Sequence, residues 1–310
     1  MPPVTSRLAN WPLPTIALGT GAWQQPNAIQ PKDIPALVEF VLSQPNPAFD
    51  TAPLYGSGDS ETWLGAALRG VPRDSYRVTS KAGWAIQPGG ASAIHDFTRD
   101  GILRSIEGSL ERLGLSYLDI AHIHDADDNK QDALDVAFPT LCELRDQGVV
   151  RAVGSGMNQW QMLAEFAQQA DVDCFLLAGR YTLLEQTSLP LLKLCQEKGL
   201  ALFLGGVYNS GILATGAVPG ARFQYDTAPA AIMDKVRRLQ DVCARHGVAL
   251  PTAALQFPLA HPAVRTLVIG ANSIAEFTTA LNAVNASSPA ALWADLRSEG
   301  LLDPGAPVPH

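Results

Sequence analysis

Eight short apolar runs, alternating with segments of helical spacing, constrain this chain more than any other feature. The runs are PTIALGT (14–20), PAFDTA (47–52), YRVTSK (76–81), YLDIAHIH (117–124), VRAVGS (150–155), VDCFLLA (172–178), LALFLG (200–205) and RTLVIG (265–270). Each has the length and the branched or aromatic content of a buried strand. Between them, apolar residues recur at three- and four-residue intervals: Ile34, Leu37, Val38 and Val41; Trp63, Leu64, Ala67 and Leu68; Ile102, Ile106, Leu110 and Leu113; Leu134, Phe138, Leu141 and Leu144. Glu107 and Glu111 fall on the wet side of the third stripe, and Ser60 reads as the cap of the second helix with Glu61 in its first turn. Strict strand–helix alternation implies a parallel sheet with helices outside.

Eight such units predict an α/β chain folded as a closed, parallel, eight-stranded (β/α)8 barrel of the TIM type. An open doubly wound sheet is disfavoured, because no G-x-G-x-x-G opens a helix after a strand. The interval before the last strand, about 208–264, is long and holds ATGAVPGARFQYDTAPA, so it reads as a loop excursion with one or two helices. No linker or low-complexity stretch divides the chain, and residues 1–310 read as one domain.

Charge then excludes a class of partner. With 22 Lys and Arg against 30 Asp and Glu, the chain carries a net −8, and nucleic acid calls for a basic stripe. No apolar run approaches the roughly 18 residues of a membrane span. The N-terminal MPPVTSRLANWPLPT has neither a basic start nor an apolar signal core, and it reads as mature. Cys142, Cys174, Cys195 and Cys243 show no C-x-x-C pairing, which suits a reducing, cytoplasmic compartment.

In barrels of this kind the chemistry sits at the carboxyl ends of the strands. The second strand ends in Asp50, with Tyr55 in the glycine-rich turn beyond; the third ends in Lys81 and the fourth in His124, followed by Asp125. Adjacent strands lie about 4.8 Å apart, so these ends converge. An ammonium beside a phenol lowers the phenol's pKa, a carboxylate holds the ammonium, and an imidazole can bond the reacting oxygen. Tyr55 is then a proton donor or acceptor near neutral pH. The group lacks a hydride source, which a diffusible nicotinamide would supply. Each residue also has a plain structural reading: Asp50 as a turn former, Tyr55 as a rim aromatic, His124 as a satisfied core histidine. His122 and His124 share one face of a strand, as in metal-dependent barrel hydrolases, but strands five to eight end in no further ligand.

These residues resemble the aldo-keto reductase superfamily over nearly the whole chain. FDTAPLYGSGDSETWLG is similar to its D-x-A-x-x-Y-G signature, VTSKAGW to its strand-three lysine segment, and DFTRDGILRSIEGSLERLGLSYLDIAHIHDADD to its helix and strand-four region. GMNQWQML, LLAGRYTLLEQ, GGVYNSGIL and AALQFPLAHPAV resemble the sugar-oxidising subgroup, the D-threo-aldose and L-fucose dehydrogenases, with pyridoxal 4-dehydrogenase a near relative. The resemblance implies a catalytic tetrad of Asp50, Tyr55, Lys81 and His124. It implies oxidation of the anomeric hydroxyl of a free aldose of the L-fucose, D-arabinose or L-galactose type to a lactone, by a monomer or homodimer. A pyridoxal-type alcohol or a general aldehyde or ketone is the alternative substrate, and a non-catalytic cofactor-binding subunit the alternative role.

The same resemblance places the cofactor. Its phosphates fall on Gly206, Tyr208, Asn209, Ser210 and Gly211, with Leu213 following, and its adenosine on Ile269, Gly270, Ala271, Asn272 and Ser273; Gly21, Ala22 and Asp50 are further cofactor contacts. Departures from the family pattern are Gly154-Ser155-Gly156-Met157-Asn158, where Asn158 takes the amide-holding role, Ala178 for the usual Gln, and Gly205 for the usual stacking aromatic, with Tyr208 as its substitute. Glu276 stands where NADP-preferring relatives carry Arg, which implies NAD, with NADP as the alternative; an acidic residue at a helix N-terminus is favourable without any ligand. For substrate, Trp23, Trp84 and Trp160 are expected to line the mouth beside Tyr55 and His124, with Asp125 or Asn158 reading hydroxyls; rim packing is the other reading of each Trp. Residues 288–310 are expected to fold back as a lid, or else to form a solvated helix. No metal site is expected.

Overall fold

A computed structural model describes residues 7–24, 28–86 and 93–309. All eight runs form strands: β1 Ile16–Gly19, β2 Ala48–Asp50, β3 Arg77–Ala82, β4 Leu118–His124, β5 Val150–Met157, β6 Cys174–Ala178, β7 Ala201–Gly205 and β8 Val264–Gly270. They pair in parallel, each with its neighbours in chain order, and β1 closes the barrel on β8. The first six residues of the N-terminal segment read as mature lie outside the described residues.

Burial explains the near-continuous apolar runs. Every residue of β4 is buried, because one face meets the barrel interior and the other meets helices. The inward face contributes Ile120, Ala152, Cys174, Leu176, Ala201 and Phe203 to an inner cluster, stoppered from below by Leu8, Trp11 and Leu13. Arg265 fixes that stopper by donating to the carbonyls of Leu8 and Trp11. The outward face joins a larger shell that includes Ala121 and Ile123.

Helix boundaries follow local chemistry. Helix Arg99–Leu113 starts where Thr98 accepts from the Gly101 N–H and stops at Gly114, whose φ of 66° suits a residue without Cβ. The fourth predicted helix is interrupted: a wide turn at Ala133–Ala137 precedes Phe138–Asp146, where Pro139 offers no N–H to continue the ladder. Two sequence expectations are corrected. Ser60 does not cap the helix Asp59–Ala67, which starts after Gly58; its hydroxyl is buried and bonds the Thr20 carbonyl. Nor do residues 288–309 form a lid. Helix Ala290–Ser298 buries Leu292, Trp293 and Leu296 on the barrel's flank against helix Ala230–Arg245, where Asp295 accepts from His246 at 2.8 Å. Its other face, with Ala291, Ala294 and Arg297, is exposed.

Between β7 and β8 the chain forms a short helix Ile212–Thr215, a two-stranded ribbon of Arg222–Phe223 with Asp226–Thr227, and the helices Ala230–Arg245 and Leu250–Leu259. Register fixes the height of the mouth. Gly19 lies beside Asp50 and Gly270, Lys81 beside His122, His124 beside Gly156, and Ala178 beside Gly205.

Candidate active site

Lys81 is the pivot of the mouth. Its side chain is only 2% exposed, and its Nζ bonds Asp50 Oδ2 at 2.8 Å and the Thr51 carbonyl at 2.9 Å. The same ammonium lies 4.7 Å from the centroid of the Tyr55 ring. Gly156 lies close by: a Cβ there would meet Lys81 Cε at an ordinary contact distance of 3.7 Å. Gly154, one step lower inside the barrel, cannot be anything else, since a Cβ would meet the Cys174 carbonyl at 2.4 Å and the His122 ring at 2.6 Å. Glu61, buried in the first turn of its helix, braces β3 from outside by accepting from Ser80 at 2.6 Å and from Arg112 at 2.7 Å. Ser80 immediately precedes Lys81 on the strand, so this ion pair sets the lysine's height.

Electrostatics around Tyr55 differ from the sequence expectation. Burial raises the phenol's pKa above the ordinary value of 10; the charge of Lys81 and its hydrogen bonding pull it down again, while Asp50 and Asp125 push it up. Desolvation wins, so Tyr55 is a protonated phenol whose ionisation Lys81 makes easier than the site otherwise permits. Burial likewise raises Asp50, opposed by Lys81. For Lys81 itself burial favours loss of the proton, but Asp50 and Tyr55 outweigh it and hold the ammonium charged.

His124 stands edge-on to Tyr55, with ring centroids 6.0 Å apart, and its Nε2 is 3.7 Å from Asp125 Oδ2. Burial, then the cation Lys81, drive its pKa well below 6.5, so it is a neutral imidazole with one proton to donate. Its Nδ1 has no partner. His122 points into the barrel below, neutral for the same two reasons at a pKa of about 3. Among the described residues no three His, Cys, Asp or Glu side chains gather as a metal site.

Asp125 lies partly in solvent and is pushed up to about 6, by burial and then by Asp127. An acid whose folded pKa exceeds its unfolded value destabilises the fold as pH rises between the two, here from about 3.8 to about 6. Asp125→Asn is therefore expected to melt with the wild type at pH 4 and above it beyond pH 6. A melting difference independent of pH would contradict this shift.

Beside the tetrad opens a cleft of about 640 Å³ with many glycines in its wall. Gly19, Gly21, Gly205, Gly206, Gly211 and Gly270 all face it. At Gly270 a Cβ would come within 2.8 Å of the Ala22 Cβ, and at Gly21 within 3.3 Å of the Tyr55 ring. Of the residues anticipated for cofactor, the cleft brings together Gly21, Ala22, Asp50, Gly206, Tyr208, Asn209, Ser210, Gly211, Ile269 and Gly270. Burial pushes the Tyr208 phenol up to about 12, so it meets the cleft uncharged.

Others have different employment. Leu213 and Ala271 are fully buried. Asn209 presents only backbone, because its amide bonds the Thr182 hydroxyl and the Gly179 carbonyl. Asn272 accepts from the Ile29 N–H, while Ser273 caps the helix Ile274–Asn285 by accepting from the Glu276 N–H. Glu276 reaches back to accept from the Asn272 N–H at 2.8 Å, a capping arrangement that uses its carboxylate locally. Asn158 gives its amide proton to the Ala178 carbonyl at 2.9 Å, across the top of β6. Trp23 is a correction: at 2% exposure, with its indole N–H on the Ala271 carbonyl, it is a packing residue and not a wall of the mouth. Trp160 begins a helix and packs against the core shell. Trp84 is half-buried on a hairpin strand Trp84–Ile86 beyond β3.

Sequence reading missed Gln24, Leu54 and Tyr225 on the cleft wall. Tyr225 is the least expected. It is 70% exposed at the tip of the Arg222–Thr227 ribbon with a φ of 70°, and its N–H bonds the Ser210 hydroxyl.

An acid–base pair of this geometry at the mouth of a closed barrel invites comparison with known enzymes. The family model described as Aldo/keto reductase family matches residues 15–298. The chain belongs to the aldo/keto reductase family. As such it is an oxidoreductase, of a family that works with a nicotinamide cofactor. It is 36% identical to the pyridoxal 4-dehydrogenase of Microbacterium luteolum over 303 residues, covering 87% of this chain and 89% of that one. It is also 36% identical to the D-threo-aldose 1-dehydrogenase of a Pseudomonas species over 310 residues, covering 92% and 94%. Among solved structures, an aldo-keto reductase from Bacillus halodurans in its holo form superposes with a TM-score of 0.79 at 22% identity, over 99% of this chain and 97% of that one.

Proposed function

We propose that this aldo/keto reductase is an NAD-dependent aldose 1-dehydrogenase, oxidising the anomeric hydroxyl of a free aldose to its lactone with Tyr55 as the general base. The observation that carries the chemistry is the buried Lys81 ammonium, held by Asp50 and set against the Tyr55 ring. In the oxidative direction the Tyr55 phenolate, stabilised by Lys81, takes the hydroxyl proton. In reduction the neutral phenol donates it, which suits its raised pKa. His124, a neutral imidazole beside the ring, bonds the reacting oxygen and orients it. Bound in the glycine-lined cleft, the nicotinamide supplies the hydride chemistry.

The cleft fits such a group because its walls are backbone at the positions where a Cβ would intrude, at Gly21 and Gly270. Gly206, Ser210 and Gly211 would hold its phosphates, and Ile269 with Gly270 its far end. No Lys or Arg is among the described residues lining the cleft, and the Glu276 carboxylate caps the helix that follows β8. A 2′-phosphate would find no cation there, which supports NAD over NADP. Glu276→Arg is expected to raise the ratio of kcat/KM for NADP over NAD about tenfold or more. An unchanged ratio would remove Glu276 from cofactor selection and leave it a helix cap.

The aldose reading draws on the likeness to the D-threo-aldose 1-dehydrogenase, and the equal likeness to pyridoxal 4-dehydrogenase makes a pyridoxal-type alcohol the second reading. NADH formation at 340 nm with L-fucose, D-arabinose, L-galactose and pyridoxal separates them: turnover of the sugars, with pyridoxal poor, is the expected result. Turnover of pyridoxal alone would reverse the assignment. We also read the chain as one domain, since helix Leu250–Leu259 of the long excursion packs against β8 and helix Ile274–Asn285. The four free cysteines support a cytoplasmic site of action.

A further inference from the structure

One imidazole of the His122–His124 pair has no part in the chemistry above. His122 is fully buried, two residues below His124 on β4, with its backbone beside Lys81 on β3. Among the described residues neither of its ring nitrogens has a hydrogen-bond partner. A Cβ at Gly154 would meet Nδ1 at 2.6 Å and Cε1 at 2.9 Å, so that edge of the ring lies against β5 and Nε2 is turned toward the barrel interior. On the β7 side the ring meets Phe203, with centroids 6.3 Å apart. Lys81, Asp50 and His124 are the titratable groups around it, and burial with the Lys81 cation keeps it neutral, with one N–H to give.

Asp50 shows the complementary lack. Its Oδ2 bonds Lys81, but among the described residues its buried Oδ1 meets no donor. Asp50 and His122 border one internal cavity of about 10 Å³, which also touches Trp11 and Leu13 of the floor. The cavity lies directly under the cofactor cleft, since Asp50, Leu176 and Val268 line both spaces. Thr79, beside Asp50 in the β2–β3 register, completes its polar border from within the barrel. That volume is about what one water needs, and a buried water takes roughly two to four polar partners. A wholly apolar cavity stays dry, whereas this one meets a carboxylate, an imidazole and a threonine. Buried polar groups left without partners are rare in folded proteins, and water is the usual remedy.

We propose that His122 is a positioning residue for the tetrad: its Nε2–H donates to a water held in this cavity, and the water donates to Asp50 Oδ1. The carboxylate is then gripped at both oxygens, by Lys81 from one side and by the water from below. It cannot rotate away from the ammonium that lies against Tyr55. The inference rests on the reading of Tyr55, Lys81 and Asp50 as the acid–base group, and it does not depend on which substrate is oxidised.

A crystal structure of the wild type, at a resolution that places ordered waters, tests the bridge itself. The expected result is one water within hydrogen-bonding distance of both Asp50 Oδ1 and His122 Nε2; a dry cavity, or a water on only one of them, would overturn the assignment. His122→Leu and His122→Gln then test the role, assayed with whichever of L-fucose, D-arabinose, L-galactose and pyridoxal the wild type oxidises fastest. Leucine fills the space and deletes the N–H, whereas glutamine carries an amide donor to the reach of Nε2. For His122→Leu the expected result is a fall of about tenfold in kcat with KM for NAD unchanged, the worth of one hydrogen bond to a charged group. The rising limb of its pH profile should move to higher pH, because the phenol is served by a less well aimed cation. His122→Gln should recover most of both. A slower His122→Leu with an unmoved profile, or without recovery in His122→Gln, would reduce His122 to packing, and wild-type kcat in His122→Leu would remove its role while leaving the tetrad intact. Retained turnover in Tyr55→Phe, by contrast, sinks the tetrad reading and the positioning role with it.

Discussion

Replacing Tyr55 with Phe is expected to cost at least about a hundredfold in turnover while cofactor affinity stays near the wild-type value. The substitution removes one oxygen and leaves the ring that packs against Gly21 and His124. Binding and folding should therefore survive it. What disappears is the one hydroxyl that sits beside a permanently charged ammonium. His124 cannot replace it, because burial and Lys81 hold that imidazole neutral far below physiological pH. Quenching of protein fluorescence by NAD reports binding, and NADH formation reports turnover. A variant that binds and still turns over within a few-fold of wild type would show that the proton moves through another group.

Lys81→Met carries the second large effect, and it should appear in stability as well as rate. Asp50 is 4% exposed, with one carboxylate oxygen bonded to Lys81 and the other without a partner. Removing the ammonium strands a buried carboxylate, a change that typically costs about 3–5 kcal/mol. Turnover should fall at least as far as in Tyr55→Phe, since the phenol keeps its burial penalty and loses the cation that opposes it. The double variant Asp50→Asn, Lys81→Met should regain much of the stability and none of the rate, because an amide tolerates burial better than a lone charge. Urea unfolding of the three proteins distinguishes these outcomes. Equal midpoints for Lys81→Met and the wild type would mean that the ion pair contributes nothing to the fold.

Barrel, strand ends and the Lys81–Asp50 pair were all legible in the sequence, for one physical reason: a parallel strand buried on both faces must be apolar throughout. A Lys at the end of such a strand needs a partner, and parallel registration delivers the neighbouring strand's Asp. Quantities set by environment were not legible. Lys81 does lower the Tyr55 pKa, as its neighbourhood suggests, but only three-dimensional burial reveals that desolvation is larger. A loop residue misled in the same way. Trp23 sits where a ligand contact is reasonable by spacing, yet it turns inward to the Ala271 carbonyl. Tyr225 went unnoticed because a ribbon inside the long excursion leaves no periodic trace. Residues 288–309 carry an amphipathic pattern that tells which face is buried but not against what.

The most direct test follows the Tyr55 phenol itself. Protein labelled with 13C at the tyrosine Cζ, with the Tyr55 resonance assigned through Tyr55→Phe, can be titrated by NMR over the pH range in which circular dichroism shows a folded chain. The expected result is that Tyr55 in wild type ionises above the ordinary phenol range and that its midpoint climbs further in Lys81→Met. A Tyr55 resonance indifferent to the loss of Lys81 would contradict the coupling on which the proposed chemistry depends.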